Sequence, residues 1–192
     1  MQKRNELDRC PWCKDDPLYV AYHDEEWGCP LHNDGQLFEF LILEGMQAGL
    51  SWLTILRKRS HFREAFAQFD PHRVARFTSA DVTKLLGNQG IIRNRLKIES
   101  AIHNAKEFLK IQSKYTTFDN YIWQFTDGKP LRNTWVNKAD IPCCTEISDK
   151  MEKDLKQHGF KFVGSKICYA FMQATGMVND HLTTCFRHSE LH

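Results

Sequence analysis

A chain of 192 residues with 42% hydrophobic and 12% aromatic content suits one well-packed domain. No stretch nears the ~18 apolar residues of a membrane span, and Met1–Glu6 lack the apolar core of a secretory signal, which excludes membrane and exported classes as the expectation. Seven scattered cysteines form no disulfide framework and fit a reducing, cytoplasmic setting, while a net charge of +2 permits a local nucleic-acid surface without demanding one.

The first chemistry-bearing segment is Cys10-Pro11-Trp12-Cys13, whose C-x-x-C spacing suits zinc or redox work. Cys10 pairs naturally with His23, but on spacing alone Cys13 competes with Cys10 as a metal ligand. The next segment, Ala21-Tyr22-His23-Asp24-Glu25-Glu26-Trp27-Gly28, sets Tyr22 and Trp27 beside that histidine. Aromatic faces held this way suit a flat, cationic purine, although such residues also serve as plain packing.

A helix is predicted over Leu37–Glu44, apolar enough to be buried. Glu44 follows Leu37, Phe40 and Leu41 by seven, four and three residues, so its carboxylate falls on the apolar stripe. Burial without a partner raises such a group's pKa, so it is kept where it meets a partner or a cationic ligand. Gly45 and Gly49 allow close approach of a ligand or backbone, and Trp52 offers a stacking face. Arg57, Lys58 and Arg59 are expected to close the helix that starts near Ser51, where cations suit the negative end of its dipole.

Thr78-Ser79-Ala80-Asp81 reads as a capping box opening a short helix with Val82, Leu85 and Leu86 that stops at Gly87. Ile98, Ala101, Ile102, Ala105, Phe108 and Leu109 follow helical spacing. From about 127 to 145, Gly128, Pro130 and Pro142 break any long helix, and no segment shows the alternation of a strand. The expected fold class is all-α.

Near the C-terminus, Gly159-Phe160-Lys161-Phe162-Val163-Gly164-Ser165-Lys166 joins a helix from about Ser148 to His158 to an apolar helix from Ser165 to Thr175. Backbone N–H groups at such a turn, flanked by Lys161 and Lys166, form an anion site able to grip a DNA phosphate. An ordinary αα-hairpin has the same glycines. His181 and Cys185 then lie one helical turn apart. Two thiolates and two imidazoles satisfy zinc fully, so a site built from both ends of the chain is structural and clasps the termini together.

Arg9-Cys10, the Ala21–Gly28 block, Leu43-Glu44-Gly45-Met46-Gln47-Ala48-Gly49-Leu50-Ser51-Trp52, Gly90-Ile91-Ile92-Arg93, Lys161–Gly164 and Val178-Asn179-Asp180-His181 together resemble the 3-methyladenine DNA glycosylase I family of the helix–hairpin–helix superfamily. The resemblance runs from about Cys10 to Cys185. It implies a single all-helical domain over 1–192, with the helix–hairpin–helix element at about 148–176 and a zinc clasp built from 10–23 and 181–185. It implies one structural zinc on Cys10, His23, His181 and Cys185, leaving Cys13 aside.

The implied activity is hydrolysis of the N-glycosidic bond of 3-methyladenine in alkylated double-stranded DNA by a monomer. Glu44 falls on the base-recognising carboxylate, and Tyr22, Trp27 and Trp52 on the pocket aromatics. The family lacks the aspartate that relatives place beyond the hairpin, so Asp180 is a poor candidate for a general base. For DNA contact, Gly49 and Leu50 are expected to fill the gap left by the flipped base. Arg93, Lys161, Val163, Gly164 and Lys166 are expected at phosphates. The chain departs from the family at Met46, where glutamine is expected, and at Ser165-Lys166, where threonines are common. Cys13, Cys143 and Cys144 stand outside the pattern and read as incidental. Two other classes fit parts of this reading. A zinc-stapled DNA-binding module has no use for a buried Glu44, and a zinc hydrolase needs an open ligand position that four protein ligands deny.

Overall fold

The computed structural model describes residues 7–191, so the reading of Met1–Glu6 lies outside the described residues. A 3-10 turn at Pro11–Cys13 leads into α1 (Pro17–Glu25), whose Asp16 N-cap accepts from the amides of Leu18 and Tyr19. The centre of the molecule is α2 (Asp34–Gln47), in which every residue from Leu37 to Met46 is buried. A helix covered on all faces needs neighbours all round, and α2 touches α3 (Trp52–Ala65), α6 (Arg95–Tyr115), α7 (Phe118–Ile122) and α9 (Ser165–Ala174). Between them lie the short α4 (Pro71–Val74) and α5 (Ser79–Gly87). The expected Thr78–Asp81 capping box opens α5. The last helices are α8 (Glu146–Gln157), which pairs with α9, and α10 (Phe186–Glu190).

The helix after Ser51 is longer than expected. Arg57, Lys58 and Arg59 lie in its middle, because the chain continues through the fully buried Phe62 to Ala65. Arg59 serves a tertiary role instead: it donates to Glu26 at 2.6 Å, at the end of α1, and to the buried Glu39 of α2 at 2.6 Å. This network ties together the three helices that carry Tyr22, Glu44 and Trp52.

Two features depart from a purely helical reading. Residues 131–132 (β1) and 178–179 (β2) pair in parallel, each strand two residues long. His181 and Cys185 are not in a helix but in an irregular turn, where the Asn179 side chain accepts from the His181 amide at 3.2 Å. Among the described residues no helix is long and apolar enough to cross a membrane.

Candidate functional site

Four buried side chains from the two ends of the described chain meet: Cys10, His23, His181 and Cys185, with ligand atoms all within 4.8 Å of one another. Cys185 Sγ lies 3.4 Å from His23 Nε2 and 3.4 Å from His181 Nδ1, and Cys10 Sγ lies 3.6 Å from His181 Nδ1. Ligands on a tetrahedron with metal bonds of zinc length have S···N edges of about 3.6 Å, so the cluster has the size to hold such an ion.

The second ring nitrogens are also committed. His23 Nδ1 meets Asp24 at 2.8 Å, and Asp24 is gripped in turn by Arg9. His181 Nε2 meets the Trp27 carbonyl at 3.0 Å. Such outer contacts fix the tautomer that presents a lone pair to a metal. Cys185 is driven toward the thiolate, first by the Cys10 thiol and then by the two histidines. Cys13 is excluded from the cluster, since its Sγ turns back to the Cys10 carbonyl at 3.2 Å. That settles a choice which spacing leaves open.

Beside the cluster lies a pocket of about 320 Å³, lined by Trp12, Tyr19, Tyr22, Trp27, Trp52 and Glu44 among others. Trp12 contacts Trp27 edge-on with centroids 4.8 Å apart, and Tyr22 meets Trp52 at 5.5 Å. The cluster and the pocket share their supports: Trp12 follows Cys10 by two positions, Tyr22 precedes His23, and the Trp27 carbonyl holds His181. The indole N–H groups of Trp12 and Trp52 are buried and find no acceptor among the described residues. A buried donor without a partner costs about 1–3 kcal/mol.

Glu44 is 3% exposed. Its carboxylate shows no hydrogen bond or ion pair among the described residues, and burial pushes its pKa up to about 8. The expectation from its helical position therefore holds, and the alternative of a structural ion pair does not. Gly45 beside it faces the hairpin, where a Cβ would sit 3.4 Å from Phe162 Cβ, an ordinary contact distance.

The turn between α8 and α9 is held by α6: Asn104 exchanges two hydrogen bonds of 2.8 Å with the Lys161 backbone. Lys161 and Lys166 are exposed, while the Val163 side chain is core. One amide that the anion-site reading uses is already taken, because Ser165 N donates to Glu152 at 2.8 Å. The amides of Val163, Gly164 and Lys166 donate to no described residue. A groove of about 710 Å³ connects this helix start, including Gly164 and Lys166, to Gly49 and Leu50. Gly49 adopts a φ of +81°, and Leu50 stands 41% exposed. Arg93 is exposed but outside that groove.

The structure adds residues that sequence reasoning passed over. Trp12 and Tyr19 join the pocket, and Cys143, expected to be incidental, lines both pocket and groove together with Gln173. Only Trp12 carried a local signal, its place between Cys10 and Cys13; the others arrive from segments far away in sequence.

A family model described as methyladenine glycosylase matches residues 12–188. The chain belongs to the methyladenine glycosylase family. DNA-3-methyladenine glycosylase 1 of Escherichia coli K12 is 47% identical, with 93% of this chain and 96% of that one covered. A crystal structure of 3-methyladenine DNA glycosylase I superposes with a TM-score of 0.91 at 50% identity, covering 93% of this chain and 98% of the other. The enzyme from Staphylococcus aureus, solved for its recognition of 3-methyladenine, gives a TM-score of 0.90 at 37% identity and covers 94% of this chain and 96% of its own.

In this glycosylase Met46 is buried, and its carbonyl accepts from the Lys97 ammonium at 2.8 Å. Lys97 also donates to the Ala48 carbonyl at 2.6 Å, so it caps α2 just before Gly49 and Leu50. Asp180 is fully buried and accepts from Asn133, Trp135, Tyr169 and Gln173 at 2.6–2.8 Å. A carboxylate with four donors and no solvent has no lone pair to offer a reacting water. The glycosylase therefore uses Asp180 as a structural anchor, which removes it as a base.

Proposed function

We propose that this glycosylase excises 3-methyladenine from alkylated DNA by flipping the damaged base into the aromatic pocket, where Glu44 recognises it. The observation that carries the reading is an unpartnered buried carboxylate in a wall of aromatic faces, a costly arrangement unless a cation fills it. Alkylation at N3 makes adenine cationic. Its C1′–N9 bond breaks with the electron pair passing to N9, so the base leaves neutral. Water adds at C1′ and gives up a proton. Such a leaving group needs little acid catalysis, which agrees with the absence of a free general base at Asp180. Glu44 accepts from the adenine edge and attracts its charge, Tyr22, Trp27 and Trp52 present π faces, and neutral bases gain less from both.

Cys10, His23, His181 and Cys185 would hold one zinc, chosen because an S2N2 set of borderline donors suits that ion. Fully ligated by protein, it would stiffen the pocket walls and activate no water. The α8–turn–α9 segment, about 148–176 in the single 1–192 domain, acts as the helix–hairpin–helix element. Its amides at Val163 and Gly164, with Lys161 and Lys166, grip phosphates of double-stranded DNA, and Arg93 adds charge at the periphery. Leu50, supported by Gly49, fills the gap left by the base, since an apolar wedge holds a step open. Pocket and clasp are both built from one chain, which supports a monomer; its substrate is chromosomal DNA in the cytoplasm.

The test is release of free base. Incubated with methylated duplex, the protein is expected to liberate 3-methyladenine and to leave unmodified adenine in place. Binding of that duplex without any released base would mark a DNA-binding module instead. Lys166→Ala is expected to weaken binding to damaged and undamaged duplex alike and to lower the salt slope by about one, measured by titration at several salt concentrations. Loss of lesion preference with affinity for undamaged duplex unchanged would place Lys166 at the base and not at a phosphate.

A further inference from the structure

Two thiols stand side by side where the aromatic pocket adjoins the groove. Cys143 is exposed and Cys144 half-buried, and their Sγ atoms lie 4.0 Å apart. Cys143 lines both cavities and Cys144 the groove, and Gln47, Pro142 and Ala170 are also common to the two cavities. Both thiols are free. A tetrahedral atom with thiolate bonds of zinc length holds its sulfurs about 3.8 Å apart, so one soft atom can bond this pair with little movement. The clasp is the only group of three or more metal-ligating side chains among the described residues, so no further protein ligand joins Cys143 and Cys144. A four-coordinate cation would find half of its ligands here. A trivalent arsenic that already carries one organic group has two valences left, and the pair fills both. The other cysteines offer less: Cys10, Cys13, Cys168 and Cys185 are buried, and Cys29 lies against the Arg187 guanidinium at 2.9 Å.

We propose that Cys143 and Cys144 form a binding site for monosubstituted trivalent arsenicals at the mouth of the pocket. Thiolates are soft ligands and select soft, thiophilic centres. In the binding step each thiol proton leaves with an arsenic-bound hydroxyl as water. Two As–O bonds break, two As–S bonds form, and arsenic stays trivalent, so no oxidant or reductant is consumed. The second bond closes within one chain, at the high effective concentration of a neighbouring residue. The chelate therefore resists monothiols and yields to a competing dithiol. Its consequence for activity rests on the excision reading: the organic group bars a flipped base on its way from groove to pocket.

The probe is phenylarsine oxide, which hydrates to the dihydroxy form, added in equimolar amount to the protein in excess glutathione. Native mass spectrometry is expected to show one phenylarsenic per chain with the metal content unchanged, and 2,3-dimercaptopropanol should remove it. Cys143→Ser and Cys144→Ser each leave a single thiol, so neither variant should hold the adduct against glutathione. Treatment should abolish excision of 3-methyladenine by the wild type, reversibly with the dithiol, while each variant keeps the activity it has untreated. No adduct in the wild type, or an adduct that persists in both serine variants, overturns the site. An adduct with excision unimpaired overturns its place at the mouth of the pocket. An untreated wild type that releases no 3-methyladenine overturns the excision reading alone, and the mass measurement still decides the arsenical site.

Discussion

Glu44→Gln is expected to slow excision of 3-methyladenine roughly ten- to a hundredfold at pH 7.5 while raising thermal stability. Charge-assisted hydrogen bonds are each worth about 1.5–3 kcal/mol, and glutamine keeps the size and one acceptor but loses the charge. The stability change follows from the sign of the pKa shift. Burial raises the Glu44 carboxyl from 4.5 to about 8, so between those values the folded protein holds a proton that the unfolded chain has lost. Stability therefore falls as pH rises from about 4.5 to about 8, and the penalty is constant above that range. Glutamine removes the slope, so the melting temperature of the variant should pull ahead of wild type across that window. The free enzyme's carboxylate fraction also sets kcat/KM, which should rise about tenfold per pH unit below 8 in wild type and stay flat in the variant. A variant that excises at the wild-type rate and melts several degrees lower would make Glu44 a structural residue.

Cys185→Ala should abolish stoichiometric zinc and lower the melting temperature by at least about 10 °C, since a loss of several kcal/mol moves a domain of this size by that much. Excision should fall with it, because the clasp holds Trp12, Tyr22 and Trp27 through Cys10, His23 and the His181–Trp27 contact of 3.0 Å. Chelator treatment of the wild type should reproduce both effects, and zinc should restore them. Elemental analysis and thermal unfolding on the same sample decide the matter. A folded, active wild type without zinc, or metal loss with unchanged melting, would contradict the clasp.

How much was legible in sequence depended on the range of the interaction. The capping box at Thr78 and Asp81, the stripe of α6 and the placement of Glu44 above Leu37, Phe40 and Leu41 are local, and all three appear as expected. Which cysteine joins the cluster is not legible in sequence, because Cys10 and His181 are 171 positions apart and only the turn at Pro11–Cys13 aims one thiol inward. His181 and Cys185 converge, but through an irregular turn braced by Asn179, a geometry that their spacing does not encode. The three cations of α3 read as a helix end, since the Glu26 and Glu39 that engage Arg59 lie 33 and 20 positions away. The two-residue strands are not legible either, as two paired positions leave no alternation to read.

A methylated adenine in the aromatic pocket is reported directly by the indole N–H resonances of the five tryptophans. Trp12 and Trp52 line the pocket, whereas Trp123 is bonded to the Leu31 carbonyl at 2.9 Å and does not line it. On titration with 3-methyladenine, the Trp12 and Trp52 indole signals should shift with saturation, Trp123 should stay in place, and adenine should move none of them at the same concentration. Shifts confined to other tryptophans, or an equal response to adenine, would contradict occupancy of this pocket by the methylated base.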